Sequence, residues 1–234
     1  MGVSGSGTIF FTYCNLGCIF CQNYDISHLG EGYSIEDEGL AEVMLRLKRM
    51  GCHNINFVTP THVVPQILRA LPLAIEKGLD LPLVYNSGGY DLVSTLKLLD
   101  GIFDIYMPDF KYSDPEVAKR YSNAPNYPEV AKSALREMHR QTGDLLTDQR
   151  GVAQRGLIIR HLVLPENLAG TEEVLKFISF KLSKDSYVNL MDQYRPAYQS
   201  KNFPPLDRRI TSNEYASAYN MAKKYGLRRL DGWG

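Results

Sequence analysis

The stretch TIFFTYCNLGCIFC, Thr8 to Cys21, decides how this chain is read. Residues 8–13 are aromatic, apolar and β-branched, the composition of a buried strand, and they run directly into Cys14, Cys18 and Cys21. A C-x3-C-x2-C triplet placed where a strand ends is set out for metal ligation. Cysteine thiolates are the usual ligands of iron–sulfur clusters, and a four-iron cube held by three of them keeps one iron open. Catalytic metals keep an open position and structural ones close it. The alternative is zinc, with Cys52 or His28 as a fourth ligand. Structural zinc favours paired C-x2-C knuckles, however, and only one such pair is present. Cys52 follows Gly51 at the end of a helical pattern and reads as an ordinary buried thiol.

Working outward, short β-prone runs alternate with longer helical ones. Leu40, Val43, Met44, Leu47 and Met50 share one helical face over residues 39–50. Ser34 with Asp37 predicts a cap for that helix and Gly51 its stop. Further strands are expected over residues 54–58, 81–86, 102–109, 157–164 and 188–191. Helices are expected over 63–77, 92–99, 171–182 and 211–225, with a pair inside 114–143 broken around residues 124–128 by two prolines. About six strand–helix alternations predict a parallel sheet with its helices outside. In such sheets the chemistry gathers at the carboxyl ends of the strands.

Composition narrows the partners. The 234 residues carry 26 Lys plus Arg and 26 Asp plus Glu, without the basic excess of a nucleic-acid binder. No apolar run approaches the roughly 20 residues that span a bilayer, and the start lacks the regions of a signal peptide. Met1-Gly2 with Ser6 fits the loose N-myristoylation pattern, but one acyl chain without a basic patch anchors only marginally. The expectation is one domain over residues 1–234, in the cytoplasm, binding neither nucleic acid nor membrane.

Each predicted strand after the first also ends in polar residues: Thr59-Pro60-Thr61-His62, Asn86-Ser87-Gly88-Gly89, Pro108-Asp109-Phe110-Lys111, Arg160-His161 with Pro165, and Asp192-Gln193-Tyr194. Paired glycines permit close backbone approach to a ligand. His161, one position after Arg160 on a strand, faces the opposite way and is expected to pack outside.

The cysteine spacing, Phe20 before the last cysteine and the strand-then-loop setting resemble the radical S-adenosylmethionine superfamily. The runs GTIFFTYCNLGCIFCQNYDISH, TPTHVVPQI and MPDFKY are similar to the group related to pyruvate formate-lyase activating enzyme, and the likeness extends from about Gly7 to Tyr225. It implies a partial (β/α)6 TIM-type barrel with parallel strands and outer helices. It implies a [4Fe–4S] cluster on Cys14, Cys18 and Cys21 whose open iron takes the amino and carboxylate groups of S-adenosylmethionine. One electron then cleaves the sulfonium to methionine and a 5′-deoxyadenosyl radical.

The same resemblance implies roles for single residues. Phe20 takes the aromatic position near the adenine. Thr59 and Thr61 stand where the superfamily usually has Gly-Gly-Glu for the amino group, here without a carboxylate. Asp109 and Lys111 match an Asp-x-Lys whose lysine meets the cofactor carboxylate, a point charge suited to it. The aspartate there serves a monovalent cation, with Asn86, Ser87 and the Met107 backbone beside it. Arg160 points to the cofactor carboxylate or a neighbouring group, and Gln193 and Tyr194 line the ribose or substrate. The implied partners are a glycyl radical protein as substrate and a flavodoxin- or ferredoxin-type reductant, in an anaerobic cytoplasm. Modification of a peptide or small molecule is the alternative, and a non-catalytic iron–sulfur or zinc protein the reading from another class. Members of the group often carry a further cysteine-bearing N-terminal portion.

Overall fold

Seven parallel strands stand side by side in the order β1 (Gly7–Phe10), β2 (Ile55–Val58), β3 (Leu83–Asn86), β4 (Ile105–Tyr106), β6 (Ala153–Leu162), β7 (Tyr187–Met191) and β8 (Arg229–Asp231). They belong to a computed structural model that describes residues 4–231, so the Met1-Gly2 pattern lies outside the described residues. β1 and β8 are the two ends of the strand order. The sheet curves as a parallel α/β barrel that does not close. β3 is buried at every position, as a parallel strand covered on both faces must be.

The outward side chains form the main core under the helices. Phe57 and Tyr85 both pack edge-on against Phe103, and Ile159, Val188 and Leu190 are fully buried. The helices are α2 (Asp37–Arg49), α3 (Val64–Glu76), α4 (Val93–Leu98), α5 (Pro115–Ser122), α6 (Tyr127–Thr142), α7 (Thr171–Phe177) and α8 (Ser212–Lys224), with one turn, α1 (Tyr24–Ser27), inside the cysteine loop. α8 carries the full capping box between Thr211 and Glu214. The expected cap of α2 is not formed. Its first flanking residue is Glu36 and no side chain caps it. The acids Asp37 and Glu38 in the first turn and Arg46, Lys48 and Arg49 in the last suit the helix dipole instead.

Other boundaries move for identifiable reasons. β1 ends at Phe10 and not at residue 13, because the chain turns through Tyr13 at φ 66°. The strand expected over 102–109 shrinks to two residues, with a single bridge from Asp109 to Arg160 beyond it. The helix expected over 171–182 widens at Ile178–Leu182 into a π-helical turn. β5 (Leu146–Thr147), an antiparallel partner of β6, and β8 are additions. Both are too short to leave a period in the sequence.

His161 packs outside the sheet, as its neighbourhood with Arg160 predicts. Its Nδ1 lies 2.7 Å from the Phe110 carbonyl, and its Nε2 2.9 Å from the Thr171 hydroxyl. Complete burial lowers its pKa from 6.5 to about 4, against the opposing pull of the Phe110 carbonyl and Asp109. The folded chain therefore holds this ring neutral where the unfolded chain begins to protonate. Its contribution is complete above pH 6.5 and fades as pH falls toward 4, a loss of about 3 kcal/mol. Denaturant midpoints across that window should show the loss in the wild type and a flatter profile in His161→Gln.

Candidate active site

The cysteine loop leaves β1 at the carboxyl end of the sheet and is fastened on two sides. Gly17 N–H donates to the Ser122 carbonyl at 2.9 Å and Ile19 N–H to the Tyr121 carbonyl at 3.0 Å, both at the end of α5. From the other side Gln199 N–H reaches the Ile19 carbonyl at 2.9 Å. His28 Nε2 lies 3.1 Å from the Cys18 carbonyl, and the ring stacks on Tyr198. Cys18 is buried and accepts from the Ser122 hydroxyl at 3.0 Å, while Cys14 Sγ accepts from Leu16 N–H and Cys21 Sγ sits 3.1 Å from the Ser27 hydroxyl. Burial pushes the Cys18 thiol up to about 11 and raises that of Cys14, with Lys111 pulling both back. Metal binding must therefore displace their protons.

All three thiols border one cavity of about 230 Å³. Thr59, Asn86 and Ser87, at the ends of β2 and β3, form a second wall. Asp109, Lys111 and Arg160 form a third, and Gln193 and Phe20 also face the space. Residues far apart in sequence meet here because each follows a neighbouring parallel strand.

The third wall is a buried charge cluster. Lys111 Nζ is 2.6 Å from Asp109 Oδ2, and an Arg160 terminal nitrogen is 2.7 Å from Oδ1. Burial alone would raise the Asp109 pKa, but the Arg160 and Lys111 cations prevail and hold it below the usual carboxylate range. Asp109 Oδ1 and Arg160 Nε are themselves fully buried and make no hydrogen bond. The Lys111 and Arg160 side chains keep 18% and 25% of their surface exposed and both border the cavity, so this wall presents cationic donors to a ligand's acceptor. Two of the four expected cation ligands have protein partners: Asp109 meets these two side chains, and the Ser87 hydroxyl donates to Asp91.

Two expected site residues fall outside the cavity wall. Thr61 turns its hydroxyl to Asp91 at 2.7 Å. Tyr194 is fully buried, with its hydroxyl donating to the Leu206 carbonyl at 2.7 Å and its ring edge-on to Phe20. It supports Phe20 from behind, as Tyr112 does. Two residues were missed. Tyr127 accepts from Lys111 N–H at 2.9 Å and lies 2.8 Å from the Gly88 carbonyl, tying the β3 and β4 loops together. Asp91 is the other. Neither follows a strand end directly, so only the tyrosine-rich composition and the Gly-Gly-Tyr-Asp run hinted at them.

Among the described residues no three His, Cys, Asp or Glu side chains converge as a single metal ion would require. The thiols surround a volume, as suits a cube of metal and sulfide. Cys52 lies at the opposite end of β1, beside Gly7. The family model described as the radical SAM superfamily matches residues 8–178. The chain belongs to the radical SAM superfamily. Membership implies a [4Fe–4S] cluster and S-adenosylmethionine, and three thiols beside two cationic side chains in one cavity fit that pair.

An uncharacterized protein of Methanocaldococcus jannaschii is 36% identical over 232 residues, covering 95% of this chain and 63% of that protein. The chain thus spans somewhat under two thirds of this relative's length. Two solved structures share the fold. A radical SAM methyltransferase from Sphaerobacter thermophilus superposes with a TM-score of 0.65 at 17% identity, over 96% of this chain and 65% of that one. Methylornithine synthase (PylB) gives 0.64 at 16%, over 97% and 64%. No helix among the described residues is long and apolar enough to cross a membrane.

Proposed function

We propose that Cys14, Cys18 and Cys21 hold a [4Fe–4S] cluster and that the chain cleaves S-adenosylmethionine reductively to begin radical chemistry. One observation supports this most: the three thiols, Lys111 and Arg160 border a single cavity. When bound, the cluster supplies the electron that breaks the sulfonium carbon–sulfur bond. The protein's own part is to hold and orient. Lys111 and Arg160 offer donors to a carboxylate, and Asp109 keeps both from turning away. Phe20, braced edge-on by Tyr112 and Tyr194, offers an apolar face for the adenine. Gln193 borders the same space and serves the ribose.

The finer reading is activation of a glycyl radical protein in an anaerobic cytoplasm, with a flavodoxin- or ferredoxin-type reductant. The Asp109-x-Lys111 pair at the end of β4 supports it, as does the unclosed side between β1 and β8, which leaves room for a protein loop. A peptide or small-molecule substrate is the competing reading, since a fold does not fix a substrate.

Anaerobic reconstitution followed by S-adenosylmethionine and dithionite tests the reaction. The expected products are 5′-deoxyadenosine and methionine; none above the cluster-free control would refute it. Adding candidate glycyl radical proteins and recording electron paramagnetic resonance spectra tests the finer reading. Lys111→Ala should weaken S-adenosylmethionine binding about tenfold, the scale of one charge-assisted contact, with iron content unchanged. Unaltered affinity would remove Lys111 from the carboxylate site.

A further inference from the structure

Asp91 is a buried carboxylate with no cationic partner among the described residues. It is only 1% exposed and sits behind the wall formed by the ends of β2 and β3. Its carboxylate accepts three hydroxyl hydrogen bonds, from Thr61 at 2.7 Å, Tyr85 at 3.0 Å and Ser87 at 2.6 Å. No lysine, arginine or histidine among the described residues pairs with it. Burial raises its pKa, and only those hydroxyls pull it back. Buried carboxylates are as a rule paired with a cation or metal, so an uncompensated one beside a ligand cavity points to a cation brought by the ligand.

The wall in front of Asp91 has matching chemistry. Because Thr61 and Ser87 spend their protons on Asp91, the Ser87 oxygen has only acceptor capacity, of which Gly89 N–H takes one lone pair at 3.2 Å and leaves the other. Thr59 lines the cavity at φ 60°, a left-handed conformation that a β-branched residue rarely adopts. Such strain persists only where the surroundings impose it, typically at ligand sites. Here the Thr59 N–H is held by the Asn86 carbonyl at 2.9 Å, and Thr61 two residues on is held by Asp91. The hydroxyl and carbonyl of Thr59 have no partner among the described residues.

We propose that Asp91 is the charge-bearing positioning residue of an ammonium-binding wall, fixing Thr59 and Ser87 as acceptors that select a ligand with a cationic amino group. The opposite wall, with Lys111 and Arg160, suits a carboxylate, so the cavity is polarised for an α-amino acid. This deepens the S-adenosylmethionine reading and rests on it. It assigns the amino-group contact to a carboxylate one layer back, where Thr59-Pro60-Thr61 offers none.

The test compares S-adenosylmethionine with its analogue lacking the α-amino group, by equilibrium dialysis on the anaerobically reconstituted protein. Wild-type protein should prefer S-adenosylmethionine by about tenfold or more. Asp91→Asn should narrow that preference about tenfold by weakening S-adenosylmethionine while leaving the analogue's affinity and the iron content unchanged. Ser87→Ala should act likewise and carries the test if Asp91→Asn does not fold. Equal weakening of both ligands would reduce Asp91 to a structural brace and overturn the proposal. So would a preference that keeps its wild-type size in both variants. Wild-type protein that binds neither ligand would refute the S-adenosylmethionine reading itself, and this proposal with it.

Discussion

Cys18→Ala is expected to leave the anaerobically reconstituted protein without a stable cluster, its iron and sulfide falling to background, while the chain stays folded. Cys18 is the most buried of the three thiols, and its Sγ accepts from Ser122, whose hydroxyl also meets Tyr112 at 2.8 Å. Ser122 keeps that second partner in the variant, so truncation removes one small sulfur and costs only about 1 kcal/mol. Cluster assembly, by contrast, loses one of only three protein ligands. Cys52→Ala is the matched control, because Cys52 sits beside Gly7 at the other end of β1. It should reconstitute like wild type. Iron retained in Cys18→Ala, or lost in Cys52→Ala, would contradict the ligand assignment.

The second large effect is steric. Gly89 lies at φ 75°, and a Cβ there would stand 2.0 Å from the backbone oxygen of Asp109 and 3.1 Å from the Tyr127 hydroxyl. Neither neighbour can yield, since Asp109 N–H is bonded to the Ser87 carbonyl at 3.0 Å and Tyr127 joins both loops. Gly89→Ala should therefore separate the β3 and β4 loops, costing about 2–4 kcal/mol from backbone strain and overpacking together. S-adenosylmethionine binding should fall with it. Gly101→Ala isolates the backbone contribution, for Gly101 has φ 81° with nothing near its missing Cβ. It should cost about 1 kcal/mol. Equal denaturant midpoints for the two variants would show that the Gly89 contact is relieved easily.

Long periodic segments and the cysteine spacing could be read from sequence because each is a local signal. The face of Leu40, Met44 and Leu47 requires a helix whatever surrounds it, and the six expected strands are all present as neighbours. What was hidden depends on partners distant in sequence. β4 is short because Pro108 has no N–H to give the ladder, yet Met107 and Asp109 N–H still bond to the Tyr85 and Ser87 carbonyls and Phe110 N–H to the Arg160 carbonyl, so distant partners keep the segment in place beyond the strand. Thr61 and Tyr194 looked like ligand groups because they follow strands. Their direction is set by Asp91 and Leu206, which lie 30 and 12 residues away. The charge triad could be named from Asp109, Lys111 and Arg160, but that Asp109 meets one cation on each carboxylate oxygen depends on β4 and β6 lying side by side.

Electron paramagnetic resonance of the dithionite-reduced, reconstituted protein, recorded before and after S-adenosylmethionine, tests the central claim most directly when paired with metal analysis. The account predicts iron and sulfide in equal amounts, a reduced [4Fe–4S] signal, and a changed signal once the nucleotide reaches the open iron. Protein that contains zinc in place of iron, or whose spectrum is indifferent to S-adenosylmethionine, would contradict it.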